Sequence, residues 1–370
     1  MQSRVAPRDR SLPRLCTNAS GSIVTDPSWS GFVSQRLDLV ESRIHELLGV
    51  DPEPFGSEMA RMGSAGGKRL RPAMLLLAYD AICSGKNGRA HDSAVVWERC
   101  RDIAAAFELL HTTTLVHDDV IDASPTRRWT RTIHSVSSPA QAILIGDYYI
   151  ARCLGIVVSA GGAAVASQME WAIRTICEGE VMQLQTLQSI GQTREQYLER
   201  IWRKTGALFS ACCVSGGLLA GAKEAEQAAL LQFGKQMGIA FQIQDDIADY
   251  VESSEATGKP SGHDIAEGSV TLPLLLALDD PASGSQLRDL LEPSFTQGAT
   301  GSTGMGRRVD DAVVAEVVAL VRASHGIVKS AALAEQYTSL AVEAAEELLA
   351  GGCAGADQLV ALANTVGKGA

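Results

Sequence analysis

The sequence predicts an all-α protein whose main part is one helical domain at residues 29–370. Apolar residues recur at helical spacing along nearly the whole chain from Trp29 onward. Alternating β-branched runs bounded by hairpin turns are absent, which argues against a sheet. The chain has 370 residues and is 46% hydrophobic, enough apolar material for a large buried core. A single helical domain therefore explains the pattern, and no repeat of 20–50 residues suggests a solenoid.

The helices can be placed in order from their apolar stripes. The first is predicted over 31–49, where Val33, Leu37, Val40, Ile44 and Leu47/Leu48 share one face and a glycine ends the run. Further helices are expected at 73–83, 93–117, 138–160, 163–188, 194–220, 223–251, 270–280, 309–324 and 328–350. Breaks fall at 63–67, 124–132, 253–268 and 294–306. The last break is a Gly/Ser/Thr loop without reactive side chains.

Residues 1–28 are predicted to form a disordered extension. They contain arginines but no apolar core segment, so they do not match a secretory signal. An Arg/Ser-rich, acid-poor composition is also typical of organelle transit peptides, which leaves organelle targeting as the alternative to a cytoplasmic location. The longest uncharged stretch, 205–222, is rich in Gly, Ser, Ala and Cys, so a buried helix explains it better than a transmembrane segment.

Charge and cysteine content narrow the function classes. Lys and Arg number 32 against 43 Asp and Glu, giving a net charge of −11 that disfavours general nucleic-acid binding. The 8 cysteines are scattered, with neither a C-x-x-C pair nor zinc-site spacing. We therefore expect reduced, mostly buried thiols, as in a cytosolic protein.

Two D-D-x-x-D clusters end two long apolar helical runs. Their aspartates are Asp118, Asp119, Asp122, Asp245, Asp246 and Asp249. Residues four apart share a helix face, and carboxylates at a helix C-terminus oppose the helix dipole and repel one another. One such cluster is usually a solvated acidic helix end, but two in apolar surroundings favour a site for Mg²⁺, which prefers oxygen ligands. The alternating loop of an EF-hand is missing.

Basic residues lie where an anion would need them. The segment GGKRLRP at 66–72 has three cations within four positions, and Arg127 and Arg128 follow the first cluster. Lys204 and Lys259 add two more charges beside apolar helices. Each alone is an ordinary surface charge, and the glycine pair is not a Walker A motif. Together with the aspartates they predict a site for two diphosphates, one held through metal ions and one held directly.

Over roughly residues 35–350 the sequence resembles the trans-isoprenyl diphosphate synthases (polyprenyl synthetases), and it looks closest to the long-chain members. The motifs that carry the resemblance are GGKRLRP (66–72), ELLHTTTLVHDDVID (108–122), ILIGDYY (143–149), GEVMQL (179–184), KTGALF (204–209), FQIQDDIADY (241–250), GKPSGHD (258–264) and TLP (271–273). The resemblance implies the isoprenoid synthase fold, a bundle of about ten core helices around a central cavity, usually as a homodimer. The implied reaction is 1′-4 condensation of isopentenyl diphosphate with an allylic diphosphate.

The same resemblance implies roles for individual residues. The six aspartates would hold three Mg²⁺ on the allylic diphosphate, which Arg127 and Lys259 would also contact. Isopentenyl diphosphate would be bound by Lys68, Arg71, His111 and Arg128. Lys204, Thr205 and Gln242 would line the developing allylic cation. Helix geometry agrees, because His111 precedes Asp118 by seven residues, two turns earlier on the same face.

Two departures from the family pattern stand out. Trp129 follows the arginine pair where a glycine is usual, and a bulky ring there could shift both arginines. Ser269 stands where the family has a lysine in E-G-K before TLP, so one phosphate-facing lysine is missing. Both departures bear on activity or substrate preference.

Product length is predicted from the helix that precedes Asp118. In the family, bulky aromatics four or five residues before this aspartate stop growth at short products, but here those positions hold Thr114 and Thr113. Leu110 lies one turn further back, and Phe107 is the first large ring, about 16 Å below Asp118. We therefore expect products of C20 or longer. The alternative is that both threonines are packing residues and another helix closes the channel.

Two other functions remain open. The first is a non-catalytic regulatory subunit of a heteromeric synthase, although such subunits usually lose aspartates and this chain keeps all six. The second is a terpene cyclase, which shares the all-α architecture but needs neither GGKRLRP nor a second D-D-x-x-D. Turnover by the purified chain with isopentenyl diphosphate and an allylic primer separates the enzyme from the regulatory subunit.

Overall fold

A computed structural model describes residues 30–63, 68–84, 94–127, 130–251, 261–296 and 308–367. Almost all of these residues are helical, which confirms the all-α class. The predicted extension at 1–28 lies outside the described residues, and so do Arg128, Trp129 and Lys259.

Most of the long helices occupy the segments that the apolar stripes indicate. They are α1 (Ser30–Gly49), α2 (Phe55–Gly63), α3 (Leu70–Cys83), α4 (Ala94–Ile121), α5 (Ile133–Val136), α6 (Pro139–Thr186), α7 (Arg194–Ile201), α8 (Ala207–Leu219), α9 (Glu224–Val251), α10 (His263–Ala266), α11 (Leu272–Leu278), α12 (Gly284–Thr296), α13 (Asp311–Ala323), α14 (Gly326–Ala350) and α15 (Asp357–Gly367). A π-helical turn, Trp202–Gly206, joins α7 to α8, and a 3₁₀ turn, Ala354–Ala356, precedes α15.

The larger part of the core lies among α3, α4, α6, α8 and α9. Helix α8 packs against both α3 and α9, and α4 packs along α6. Nearly every side chain of α8 is buried, which confirms that the uncharged stretch beginning at Thr205 is a buried core helix. At Gly216 an added Cβ would lie 2.1 Å from the Leu75 carbonyl oxygen, so this glycine allows α3 and α8 to cross closely.

A second apolar cluster lies at the C-terminal end of α9. It joins the last turns of α9 to α7, α11, α12 and α13, around buried side chains such as Ile243, Tyr250 and Leu274. Helix α9 contributes side chains to both apolar clusters, whereas α4 contributes to the first. The aspartates at these helix ends range from buried, at Asp119 and Asp246, to exposed, at Asp245.

Helix α6 is the longest described helix, with 48 residues, and it breaks direction at one position. Gly162 has φ 70° and ψ −170°, a conformation that favours glycine, and it divides the helix where the sequence predicted two. Among the described residues α6 meets the length and hydropathy of a membrane span, and 17% of its most apolar window is buried. Core helices of soluble proteins meet the same criterion, so this similarity is weak evidence for a membrane.

The structure adds elements that the periodicity did not predict. Helices α2, α5, α10, α12 and α15 were not expected, because each is too short to show a long apolar stripe, and α10 falls within the predicted break at 253–268. Strands β1 (Thr126–Arg127) and β2 (Thr130–Arg131) pair antiparallel where the sequence predicted only a break. Two residues a strand are too few for a period-2 pattern to show. This hairpin carries Arg127 to the site.

Candidate active site

A cavity of about 260 Å³ lies between the N-terminus of α3, the C-terminal part of α4, helix α6, the π-helical turn and α9. We call it the central cavity. It brings together most of the predicted site residues, namely Lys68, Arg71, His111, Thr114, Asp118, Arg127, Lys204, Thr205, Gln242 and Asp245. A second cavity of about 200 Å³ lies next to it and shares Asp118, Lys204 and Asp245 with the first. We call this second cavity the acidic end of the site. The acidic end is lined further by Asp122, Arg200, Asp246, His263, Asp264, Glu267 and Ser269.

The start of α3 is held by an ion-pair cluster that sequence reasoning missed. Arg69 has a left-handed backbone, with φ 47°, at the N-cap of α3. Its guanidinium pairs with Glu41 at 2.8 Å and with the buried Glu108 at 2.8 Å. This double pair holds the Arg69 guanidinium in place, and Arg69 lines the cavity together with the flanking Lys68 and Arg71. The sequence shows three cations in GGKRLRP, but their spacing does not show which of them pairs with acids of other helices.

The two cations that flank Arg69 lie over aromatic rings. The Lys68 Nζ is 5.5 Å from the ring centre of Phe241, and the Arg71 guanidinium is 4.9 Å from that of Phe209. Ring faces attract cations, so both side chains are preorganised for an anion. His111 lines the same cavity one helix away.

In the first aspartate motif, two carboxylates face the cavity and one is an ion-pair partner. Asp118 and Asp122 line the acidic end. Asp119 is 1% exposed, and its Oδ1 accepts a 2.7 Å hydrogen bond from Arg127 Nε. Burial raises the pKa of Asp122 to about 6, aided by Glu267 and opposed by Lys204. Burial also raises the pKa of Asp119, although Arg127 opposes the shift.

The carboxylates of the second motif have different partners. Asp245 lines both cavities. Asp246 is buried, and its two oxygens accept hydrogen bonds from Tyr197 at 2.6 Å and from Gln242 at 2.8 Å. Burial and the neighbouring Asp264 raise the pKa of Asp246. Asp249 accepts hydrogen bonds from the backbone N–H groups of His263 and Asp264, and so fixes the start of α10.

The residues expected beside an allylic cation form one hydrogen-bonded chain. The Thr205 hydroxyl donates to Gln242 Oε1 at 2.7 Å, and Gln242 Nε2 donates to Asp246. The π-helical turn presents Lys204 and Thr205, as such turns often do at functional sites. Its close contact with α9 depends on Gly238, where a Cβ would lie 2.4 Å from the Gly206 Cα. Sequence periodicity could not reveal this change of helical register.

Lys204 is surrounded by acidic and polar side chains of α6 and α4. Its Nζ lies 2.8 Å from Glu180 Oε1 and 3.2 Å from Gln183 Oε1. Burial would lower the pKa of Lys204, but Asp118, Glu180 and Asp122 outweigh burial and raise it. Burial and Asp118 raise the pKa of Glu180. Glu180 and Gln183 are further site residues. They lie three residues apart within GEVMQL and so share one face of α6, which is the feature of the sequence that could have identified them.

The donor set of the acidic end fits magnesium ions that share ligands with a substrate. Asp118, Asp122 and Asp245 offer carboxylate oxygens, which Mg²⁺ prefers. Within the described part of the chain, no three His, Cys, Asp or Glu side chains form a ready-made metal cluster. Mg²⁺ is commonly held by one or two carboxylates together with waters and phosphate oxygens. The arrangement therefore suits a metal that binds with a diphosphate.

The residues predicted to set product length are not equivalent. Thr114 lines the central cavity, whereas Thr113 and Leu110 are fully buried and do not line it. Thr113 donates its hydroxyl to the Leu109 carbonyl within α4. Five residues along a helix is about 140° of rotation, which places Thr113 away from the face of Asp118.

Comparison with known proteins agrees with this geometry. The profile of the family described as Polyprenyl synthetase matches residues 54–300. The chain is 34% identical to heptaprenyl diphosphate synthase component 2 of Geobacillus stearothermophilus, over 84% of this chain and 89% of that protein. It is 36% identical to octaprenyl diphosphate synthase of Escherichia coli, over 68% of this chain and 76% of that protein.

A solved structure shares the fold over nearly the whole chain. The polyprenyl synthase of Caulobacter crescentus, crystallised with calcium and isoprenyl diphosphate, superposes with a TM-score of 0.80 at 29% identity. The match covers 92% of this chain and 97% of that one. The fold is therefore the isoprenoid synthase fold, as the sequence predicted. The protein belongs to the polyprenyl synthetase family of trans-prenyltransferases.

Proposed function

We propose that this protein is a Mg²⁺-dependent trans-polyprenyl diphosphate synthase. It condenses isopentenyl diphosphate with a geranyl, farnesyl or geranylgeranyl diphosphate primer and releases diphosphate. The observation that supports this most is the meeting of two oppositely charged groups in one cavity. Lys68, Arg71 and His111 line one end of the central cavity, and Asp118 and Asp245 line the other.

The cationic end suits isopentenyl diphosphate. Lys68 supplies a point charge, and Arg71 supplies a planar fork that matches phosphate oxygens. Both are steadied by aromatic rings, at 5.5 and 4.9 Å, so little side-chain freedom is lost on binding. Arg128 remains a prediction for this group, because it lies outside the described residues.

The acidic end suits the allylic diphosphate with bound metal. Asp118, Asp122 and Asp245 would hold Mg²⁺, and three ions are expected with substrate oxygens completing their shells. Bound Mg²⁺ would neutralise the departing diphosphate and act as a Lewis acid. Lys204 and Arg127 add positive charge at the same cavity wall. Asp119, Asp246 and Asp249 support these groups through the hydrogen bonds described above, and Lys259 remains a prediction.

The hydrogen-bonded side chains of Thr205 and Gln242 can shield and stabilise the allylic carbon as its bond to oxygen breaks. Both side chains line the central cavity and are fixed by the bond to Asp246. Preorganised dipoles in a water-excluded site stabilise developing charge with little reorganisation. The new carbon–carbon bond forms to C4 of isopentenyl diphosphate, and the proton lost from C2 can pass to the released diphosphate. No side-chain base is needed for that step.

Product length is proposed to be C20 or longer. The two relatives described above are named for heptaprenyl and octaprenyl products, which supports a long chain. Thr114 leaves the wall of the central cavity open on the Asp118 face of α4. A cavity of about 260 Å³ is at the lower end of small-molecule sites, so a long product must pass beyond it.

Two substitutions on α4 test the direction of growth. Thr114→Phe should shorten the product and leave the first condensation intact, because its ring fills the cavity wall. Thr113→Phe was the substitution indicated by sequence alone, and it should shorten the product only if the chain passes the buried side of α4. Product length is measured by chromatography of the dephosphorylated alcohols. Wild-type termination at C15, or unchanged products in both variants, would contradict the assignment.

Helix α6 offers the surface for a second copy of the chain. Ile143, Leu144, Val158, Val181 and Leu184 are all more than two-fifths exposed on this helix. Such a concentration of exposed apolar side chains is typical of an interface. A homodimer in the cytoplasm is therefore part of the proposal, and light scattering of the purified protein checks its mass. Leu144→Glu should shift it toward the monomer.

The alternative function is a regulatory or partner-dependent subunit. One relative is named component 2 of a heptaprenyl diphosphate synthase, which supports a two-component enzyme. Retention of every aspartate in both motifs favours catalysis by this chain. The purified chain alone should form product from isopentenyl diphosphate and farnesyl diphosphate with Mg²⁺, and excess chelator should abolish it. Inactivity in the absence of another subunit would favour the alternative.

A further inference from the structure

Arg200 is a buried arginine on the inner face of α7. It is 4% exposed, and its helix neighbours Tyr197 and Ile201 are 0% and 4% exposed. Removing a guanidinium from water is costly unless its charge and its donors are compensated. An arginine in this position therefore needs an acceptor.

The described residues leave this need partly unmet. Arg200 Nη2 donates to the Val270 carbonyl at 3.3 Å, and the guanidinium lies 5.5 Å from the ring centre of Tyr197. The Arg200 Nε is buried without a hydrogen-bond partner among the described residues. Since a guanidinium carries five N–H donors, most of its capacity remains available.

The guanidinium is placed at the acidic end of the site. Arg200 lines that cavity together with Lys204, Asp122, Asp245 and Ser269. The carbonyl that it contacts belongs to Val270, the residue next to Ser269. Ser269 is the position at which the family resemblance implies a phosphate-facing lysine that this chain lacks.

We propose that Arg200 supplies, from α7, the diphosphate-binding positive charge that Ser269 does not. This inference rests on the proposed function, because the ligand is the diphosphate of the allylic substrate or the released pyrophosphate. The planar guanidinium can bind two phosphate oxygens at once, which a lysine cannot. Donors of the guanidinium that reach the cavity then gain acceptors beyond the Val270 carbonyl.

A purely structural role makes a different prediction. Arg200 could serve only as a counter-charge for Asp246, whose pKa it helps to hold down against burial and Asp264. However, both oxygens of Asp246 are already hydrogen-bonded, to Tyr197 and Gln242. A structural arginine would change the stability of the fold, whereas a ligand-binding one changes the affinity for the anion.

The test measures binding of pyrophosphate in the presence of Mg²⁺ by calorimetry, with the full chain and without turnover. Arg200→Gln should weaken binding roughly 10- to 100-fold, the usual effect of losing a charge-assisted hydrogen bond. Arg203→Gln is the matched control, since Arg203 is three residues along, pairs with Glu178 and Glu199, and does not line either cavity. It should bind pyrophosphate as the wild type does.

A rescue experiment tests whether Arg200 replaces the charge that is missing at position 269 or only lies near it. Ser269→Lys should restore pyrophosphate affinity in the Arg200→Gln background to within about threefold of wild type. In the wild-type background the same change should strengthen binding by a smaller factor, because Arg200 already supplies positive charge there. Arg200→Lys provides a second variant that keeps the charge, and it should bind better than Arg200→Gln.

Each outcome is decisive. Unchanged affinity in folded Arg200→Gln or failed rescue by Ser269→Lys would overturn the inference, as would an equal gain from Ser269→Lys in both backgrounds. If wild type forms no prenyl product but shows the expected binding pattern, only the proposed function fails. If wild type does not bind pyrophosphate with Mg²⁺, both fail.

Discussion

The two D-D-x-x-D motifs have the same spacing but different environments. On α4, Asp118 and Asp122 face the cavity, and Asp119 is buried against Arg127. On α9, Asp245 faces the cavity, and Asp246 and Asp249 are bound by Tyr197, Gln242 and the start of α10. Asp118 and Asp122 of the first motif therefore line the cavity. In the second motif Asp245 and Asp246 line it, but both oxygens of Asp246 are already hydrogen-bonded.

The difference follows from what packs against each helix end. The first motif is followed by a short hairpin that brings one arginine back to it. The second is followed by α10, whose N–H groups need acceptors, and faces a tyrosine of α7. Equal spacing of carboxylates thus fixes which face they share, but the partners from other elements decide which of them remain available for metal.

The largest expected effect is the loss of turnover when a cavity-facing carboxylate is removed. Asp118→Ala and Asp245→Ala should each cost about 4 kcal/mol of transition-state stabilisation, roughly a thousandfold in rate. Steady-state kinetics with saturating Mg²⁺ measures the loss. Near-wild-type turnover in either variant would mean that the motifs do not hold the metal ions.

Asp119 should instead report on stability. Asp119→Asn leaves Arg127 without its charged partner, and losing a hydrogen bond between charged groups usually costs about 1.5–3 kcal/mol of unfolding free energy. Asp118→Asn is the matched control on the same helix, and it should leave the metal-free protein as stable or more stable. Urea unfolding of both variants checks the contrast, which is lost if the two behave alike.

The pH dependence of stability should follow the cavity-facing carboxylates. Burial raises the pKa of Asp122 from 3.8 to about 6, so the folded state binds its proton more tightly than the unfolded chain. The contribution of Asp122 to the unfolding free energy of the metal-free protein should therefore be complete below about pH 4. It should fall by at most about 3 kcal/mol as the pH rises through 6. Asp122→Asn should flatten this part of the curve. A stability that rises between pH 4 and 6 with the same slope in both proteins would contradict the assignment.

The smallest effect concerns the capping aspartate. Asp249→Asn keeps one carbonyl oxygen but loses an acceptor for His263 or Asp264, which should cost about 1 kcal/mol. Thermal unfolding measures the change, and kcat should fall far less than in Asp245→Ala. A thousandfold loss in Asp249→Asn would instead make Asp249 equivalent to Asp245.

Much of this contrast was beyond sequence reasoning, although the fold was not. The apolar stripe containing Val33 and Val40 predicted α1, and the acidic helix ends were placed correctly on α4 and α9. Helical phase is a local property, so i and i+4 positions could be paired from the sequence. The roles of Asp119 and Asp246 depend on Arg127 and Tyr197, which belong to other elements, and no local pattern reports such contacts.

The same limit explains the residues that were missed or misplaced. Glu180 and Arg200 reach the site from α6 and α7, and neither lies in an acidic or basic run that marks it. Thr113 was expected beside Thr114, but their side chains leave the helix about 100° apart and only Thr114 reaches the cavity. Register within a helix is predictable, whereas the direction from which a neighbouring helix approaches is not.

The π-helical turn Trp202–Gly206 has a consequence for local motion. Its wider hydrogen-bond ring is less favourable than the α-helical turns on either side, where α8 is almost wholly buried. Amide protons in this turn should therefore exchange with solvent deuterium sooner than those of α8, in an opening that does not require the bundle to unfold. Since the turn carries Lys204 and Thr205, bound diphosphate with Mg²⁺ should slow that exchange selectively. The amide exchange rate of this turn would then show whether the site is occupied.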